Sequence, residues 1–476
     1  MIKFLYLYVF VCSCFVAGAQ AYVVRDIKSF GARGDGKTND HAAFEKAAAF
    51  FNARGGRGKL VISAGEYIVG KQVYTAGLNG AAAFKGFDVL HFEHVKNLAI
   101  EGSGGAKLKY AAGFRFGTFN PKTKKPHNSV KDFYDYTYVA FLGHCIYFSS
   151  SEDVTVKNLE LDGNSQTFVL GGNFGDVGRQ IQHYGIFIAN SREVKVENIY
   201  AHHFALDGIS IANSSKKQSD DIKVSDSRFE YNGRCGLSWI GGNDLKVKNS
   251  KFNFNAQGRI SSAPAAGVDI EAEWGPIRNG KFENCEFIDN KGVGLLADSG
   301  DSGDCVFKDC VFWGTDAWSI WADKPNFTFR DSKIYGSIAN GYDSPNDRDA
   351  TRFINCHFED KPYNGKEAYG EFLVLGNNVR RMSFTGCTFT SNKKKLMWMT
   401  EDRGELKPEE KYQFNNCRFV IRNNNLPQND YVAVISGLRY QNCVFEFAYP
   451  GAKKKGYHLN SHRNTDAGNN RILYTQ

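Results

Sequence analysis

The chain has 476 residues, of which 42% are hydrophobic and 23% charged, with 59 basic against 51 acidic side chains and a formal charge of +8. These proportions belong to a folded globular protein and exclude a disordered or collagen-like polymer. Forty-nine glycines against ten prolines suit many short strands joined by turns.

The first 21 residues read as a secretory signal peptide. Lys3 is their only charge, an apolar run follows from Phe4 to about Gly18, and Ala19-Gln20-Ala21 offers small residues for cleavage. No later apolar run reaches the roughly 18 residues needed to span a bilayer, so the mature protein is expected to be secreted or periplasmic, with no membrane span. The remaining chain, 22–476, is expected to form a cap over about 22–70, coils over about 71–447 and a polar tail over 448–476.

In the cap, Asp26 to Asp40 reads as a strand, a glycine-rich turn and a helix start. Phe44, Ala47, Ala48 and Phe51 then recur at helical spacing, which predicts an amphipathic helix near 40–53 closing one end of a stack. Beyond it one frame recurs. Its early copies are Val95-Lys96-Asn97-Leu98, Val156-Lys157-Asn158-Leu159, Val196-Glu197-Asn198-Ile199, Val224-Ser225-Asp226-Ser227 and Val247-Lys248-Asn249-Ser250. Later copies carry cysteine, as in Asn284-Cys285-Glu286-Phe287, Asp309-Cys310-Val311-Phe312, Asn355-Cys356-His357-Phe358, Gly386-Cys387-Thr388-Phe389, Asn416-Cys417-Arg418-Phe419 and Asn442-Cys443-Val444-Phe445. A spacing of tens of residues marks a solenoid or propeller. Of the 11 cysteines, Cys12 and Cys14 leave with the signal, so an odd number remains. A metal site needs close pairs and a disulfide framework gives no reason for Phe two residues later. A ladder of buried thiols and rings explains both.

The stretch Ser29–Asp40, the helix, and Gly58-Lys59-Leu60-Val61-Ile62-Ser63-Ala64-Gly65-Glu66-Tyr67 resemble the start of the pectate-lyase superfamily. That group comprises right-handed parallel β-helix proteins, among them rhamnogalacturonases and epimerase-like enzymes. The resemblance implies an all-β, single-stranded right-handed parallel β-helix of about a dozen coils with an N-terminal capping helix. It also implies a polysaccharide substrate, while the fold alone does not fix the reaction.

Aligning units by their turn brings Gly185, Gly208, Gly236, Gly267 and Gly294 into one column. Ile186, Ile209, Leu237, Val268 and Leu295 then face inward. Two outward columns follow, Phe187, Ser210, Ser238, Asp269, Leu296 and Ala189, Ala212, Ile240, Glu271, Asp298. Asp269, Glu271 and Asp298 converge, with Asp207 close by. Residues two apart on a strand are about 6.6 Å apart and neighbouring rungs about 4.8 Å. Asp269 with Glu271 therefore suits an inverting glycosidase, and Glu271 with Asp298 a retaining one. The run Gly267-Val268-Asp269-Ile270-Glu271 resembles a segment of bacterial and phage β-helix proteins. The Asn-Thr-Asp, Asp-Asp and Gly-His-Gly set of polygalacturonases is absent.

Glycoside hydrolysis by Asp269 and Glu271, assisted by Asp298 or Asp207, is thus the first expectation. His202, His203, His183, Tyr184, Arg234, Trp239 and Trp274 are expected to contact substrate. A lyase or epimerase acting on uronic acids, using His or Tyr as base, is the second, and a non-catalytic polysaccharide-binding β-helix the third. No cofactor is required, although the acids offer a place for Ca²⁺. Lys122, Lys124, Lys125, His127 and Lys131, followed by Tyr134, Tyr136 and Tyr138, with the basic mature charge, point to an anionic polysaccharide. No nucleic-acid motif is present, and a monomer is the default.

Overall fold

The computed structural model describes residues 21–76, 82–117, 119–120, 122–126, 142–171, 180–214, 219–370, 379–393, 396–399, 406–422, 433–436, 438–451 and 464–475. The expected signal peptide up to residue 20, His127, Lys131, Tyr134, Tyr136 and Tyr138 lie outside them. Among the described residues no helix is long and apolar enough to cross a membrane.

One coil shows how the sequence makes the fold. Ile186–Ala189 forms the first face, a corner follows at Asn190 and Ser191, and Arg192–His202 supplies the other two faces. Asn198 breaks that strand with φ 51°, and the chain returns through His203 to Ile209–Ala212 one rung on. Pairing is parallel and in register: Ile186 meets Ile209, and Tyr200 meets Arg228. Three faces stacked this way form a right-handed parallel β-helix.

The recurring Asn or Asp is the residue that turns the corner. Asn158, Asn198, Asp226, Asn249, Asn284, Asp309, Asp331, Asn355, Asn416 and Asn442 all have φ between 50° and 60°. Short polar side chains tolerate this left-handed conformation best after glycine, which takes the position at Gly386 with φ 66°. Their amides also bond along the column, as Asn198 Nδ2 does to Asn158 Oδ1 at 2.9 Å and Asn284 Nδ2 to Asn249 Oδ1 at 2.9 Å.

From Asp226 onward the next residue turns inward as a small buried Ser or Cys, and the one two further on is a phenylalanine except at Ile334. Phe287 and Phe312 stack at 4.6 Å, Phe389 and Phe419 at 4.9 Å, and Phe419 and Phe445 at 4.7 Å. A second ladder runs Phe282, Phe307, Phe329, Phe353, Phe384 and Phe414, with successive centroids 4.6–5.2 Å apart. All nine cysteines among the described residues are buried free thiols, and six of them form the ladder.

The capping helix spans His41–Ala53 and buries Phe44, Ala47, Ala48 and Phe51. Asp40 fixes the turn before it by accepting the amides of Arg33 and Gly34 at 2.7 and 3.0 Å. At the other end, the region expected as a polar tail carries strands. Thr465–Asp466 and Arg471–Tyr474 pair with Leu438–Gln441 and Val444–Phe447 as a last rung.

Two substitutions test the ladders. Phe312→Ala should cost about 3–5 kcal/mol in chemical denaturation. Asn284→Val should be clearly destabilising, because a β-branched side chain is strained at φ 54°, whereas Asn284→Gly should be nearly silent.

Candidate active site on the first sheet face

The first face is built from Leu90–Glu93, Ile146–Ser149, Ile186–Ala189, Ile209–Ala212, Leu237–Asn243, Val268–Ile270, Leu295–Ala297, Ile320–Ala322 and Ile338–Gly341. The anchor glycines before these strands are demanded by close backbone approach. A Cβ on Gly236 would stand 2.8 Å from the carbonyl oxygen of Gly267, and one on Gly267 2.6 Å from that of Gly294. The inward column Ile186, Ile209, Leu237, Val268 and Leu295 is fully buried. Phe187, Ser210, Ser238, Asp269 and Leu296 are register partners, as expected from the sequence. The second column is broken at one point. A bulge pairs Ala212 with Gly241, so Ile240 drops out of it.

Carboxyl groups gather at the middle of this face. Glu271 is half-buried, accepts the Ser299 hydroxyl at 3.1 Å, and shares a hydrogen bond with Asp298. Burial first, and then the Asp298 contact, push the Glu271 carboxyl up to about 7. Asp269 lies beneath, 1% exposed, and among the described residues its Oδ1 has no hydrogen-bond partner. Burial and the neighbouring Glu271 charge drive its carboxyl well above the usual range. Asp269 therefore holds a proton below the surface and does not face substrate directly.

The next rung adds Asp323, which the sequence reading missed. Ala297 pairs with Ala322, so Asp323 follows Asp298 in the column, and its Oδ2 accepts Asn340 Nδ2 at 3.3 Å. Burial raises its carboxyl against the opposing charge of Lys324. The signal was present but disguised. Ser319 stands where the earlier units have glycine, so Ser319-Ile320-Trp321-Ala322-Asp323 escapes an alignment on Gly294-Leu295-Leu296-Ala297-Asp298.

Several expected site residues serve other ends. Asp207 is fully buried and gripped by Arg234, Nε to Oδ1 at 2.9 Å and Nη2 to Oδ2 at 2.7 Å, with the Cys235 amide also donating at 3.1 Å. The pair braces the floor, leaving neither group for proton transfer. Tyr184 is near Arg234, and burial raises its phenol well above the ordinary value. His183 is a core residue packed among Tyr110, Phe168 and Phe204, and its Nδ1 accepts the Ala205 amide at 3.1 Å. Burial lowers it to about 3, so it stays neutral. Trp239 points inward, 1% exposed, with its Nε1 donating to the Gly241 carbonyl. His202 and His203 leave the face altogether and meet Glu160 and Asp162 on the preceding coil.

Rings flank the carboxyls along the axis. On one side His91 stacks on Tyr147 at 4.3 Å and His144 on Tyr184 at 5.1 Å, with Phe187 against both tyrosines. On the other, Trp318 meets Trp321 at 5.6 Å and Tyr369 at 5.7 Å. Trp274 follows the acidic strand and is 53% exposed. The acidic centre thus lies between two groups of aromatic rings on the same face. In the lysine insertion, Lys124 Nζ lies 3.3 Å over the Tyr74 ring.

Residues 137–334 match the family model described as a right handed beta helix region. No curated protein sequence matches the chain. Among solved structures, the Azotobacter vinelandii mannuronan C-5 epimerase AlgE4 A-module is similar at 14% identity, covering 93% of this chain and 100% of that one, with a TM-score of 0.53. The Dettilon tailspike protein (11% identity, 94% and 68% covered, TM-score 0.48) and the catalytic domain of a GH87 α-1,3-glucanase in complex with tetrasaccharides (11%, 94% and 69%, TM-score 0.44) are more distant.

A carboxyl whose folded value is raised destabilises the fold once ionised. Glu271 moves from 4.5 to about 7, so its native state binds the extra proton between those values and stability falls as pH rises through that window. Glu271→Gln should therefore raise Tm relative to the unmodified protein at pH 8 and change it little at pH 4. With its parallel rungs, inward ladders and single capping helix, the chain is a right-handed parallel β-helix protein.

Proposed function

We propose that this protein is an exported glycoside hydrolase that cleaves a polysaccharide laid along the first sheet face. The observation that carries this reading is the half-buried Glu271 carboxyl beside Asp298 and Ser299, which burial pushes up to about 7, between groups of aromatic rings. A carboxyl poised near neutrality is suited to give a proton to a glycosidic oxygen. In this mechanism Glu271 donates that proton as the bond to the sugar's C1 breaks, and the neighbouring Asp298 carboxyl faces the positive charge developing there. Asp323 lies two rungs beyond Glu271, about 9–10 Å by rung spacing and at the upper end of the inverting range. It accepts a proton from the water whose oxygen bonds to C1, giving inversion. Asp269 is the positioning residue beneath.

Elimination or epimerisation at a uronic acid is the weaker reading; the AlgE4 module is named for C-5 epimerisation. It requires a base at C5 and a free cation for the carboxylate, yet Arg234 is committed to Asp207 and Tyr184 is held protonated. The same face also argues against an anionic chain. Glu271, Glu273, Asp298 and Asp323 carry the charge around the centre, so a neutral glycan is the proposed substrate.

A panel of neutral and acidic polysaccharides, followed for reducing ends and for the ultraviolet absorbance of unsaturated products, separates these outcomes. Hydrolysis of a neutral glycan without absorbance is expected, and absorbance rising with the new ends would refute the mechanism. On the cleaved substrate, Glu271→Gln should lower kcat by about 10²–10⁴-fold. Asp298→Asn should shift the basic limb of the pH profile downward, because it removes a contact that holds the Glu271 proton.

A further inference from the structure

The geometry points to a transition-metal site on a different face, formed by Asp162, His202 and His203 and suited to Zn²⁺. Asp162 and His202 are register partners on adjacent rungs, and His203 follows at the corner. One ligand atom from each of the three lies within 4.8 Å of the others. The two Nδ1 atoms are 2.6 Å apart, and His202 Nδ1 is 3.8 Å from Asp162 Oδ1. Tetrahedral zinc with bonds of about 2.0–2.1 Å needs ligand atoms about 3.3 Å apart, so these two contacts, 2.6 and 3.8 Å, lie within an ångström of the cage spacing.

The surroundings are those of an oriented metal ligand. His202 presents Nδ1 to the cluster while its Nε2 faces Glu160 Oε1 at 3.2 Å, the carboxylate-to-imidazole contact that fixes tautomer and ring angle in metal sites. The Tyr200 ring lies 4.3 Å from His202, and Tyr231 stacks on His203 at 5.6 Å with planes 9° apart. His203 holds this place at φ 56°, a conformation uncommon for a histidine. Lys107 engages Asp162 through Oδ2 at 3.1 Å, on the other oxygen from the one near His202. Two imidazoles and one carboxylate select a borderline ion such as zinc; calcium requires six to eight oxygens. Three protein ligands leave a coordination position for water or another small ligand.

Titration of tag-free, chelator-treated mature protein with Co²⁺, and then Zn²⁺ in competition, tests this. The expected result is one equivalent of Co²⁺ with a visible absorption band of tetrahedral type, displaced by Zn²⁺. His203→Asn, which keeps a residue tolerant of positive φ, and Asp162→Asn should each weaken binding more than tenfold with Tm of the metal-free protein little changed. Glu160→Gln should weaken it about 10–100-fold. No saturable one-equivalent signal, or one that survives both His203→Asn and His202→Gln with these variants folded, would overturn the assignment. The site is independent of the hydrolase reading, and either can fail alone.

Discussion

Parallel stacking in strict register is the constraint on which everything else in this molecule rests. Neighbouring rungs lie about 4.8 Å apart, and each residue sits directly over its counterpart one coil earlier. Any side chain is therefore judged against a near-copy of itself. Rings stack, amides bond in a line and small thiols nest, all of which are favourable. Carboxyls in the same arrangement repel unless a cation or a proton lies between them, as Lys107 does at Glu160 and Asp162. The fold that makes Phe287 and Phe312 an asset makes Glu271 and Asp298 a strained pair. In that sense the candidate chemistry is the architecture's least comfortable column.

The flanking elements turn that strain to use. Anchor glycines let the rungs close tightly over the face, and Asp207 with Arg234 stiffens its floor by a buried, bidentate ion pair. Such a pair is costly to bury and costlier to break, so it serves rigidity better than proton transfer. Asp269 below and Glu271 above form a graded set: one protonated and buried, the other near neutrality and reachable.

The fold was largely legible in the sequence because its signals are repeated. Eleven copies of a left-handed Asn or Asp, each with a buried side chain one and three residues on, leave little freedom in the register. The inward column and the first outward column came out residue for residue. What could not be read was direction at the corners. His202 and His203 are near Asp207 along the chain, yet Asp162, forty residues back, is their neighbour in space. His183 and Trp239 are chemically versatile types that here fill the core. The bulge at Ile240 and the serine at position 319 broke the alignment locally, and the second hid Asp323.

Whether the carboxyl column holds a shared proton at neutral pH can be read without knowing the substrate. Infrared difference spectra of the protein against Glu271→Gln, recorded across pH, report the protonated carboxyl stretch of that one group. A band present at pH 5, lost with a midpoint of about 7, and moved to lower pH by Asp298→Asn is the predicted result. A Glu271 already fully ionised at pH 5 would contradict the account.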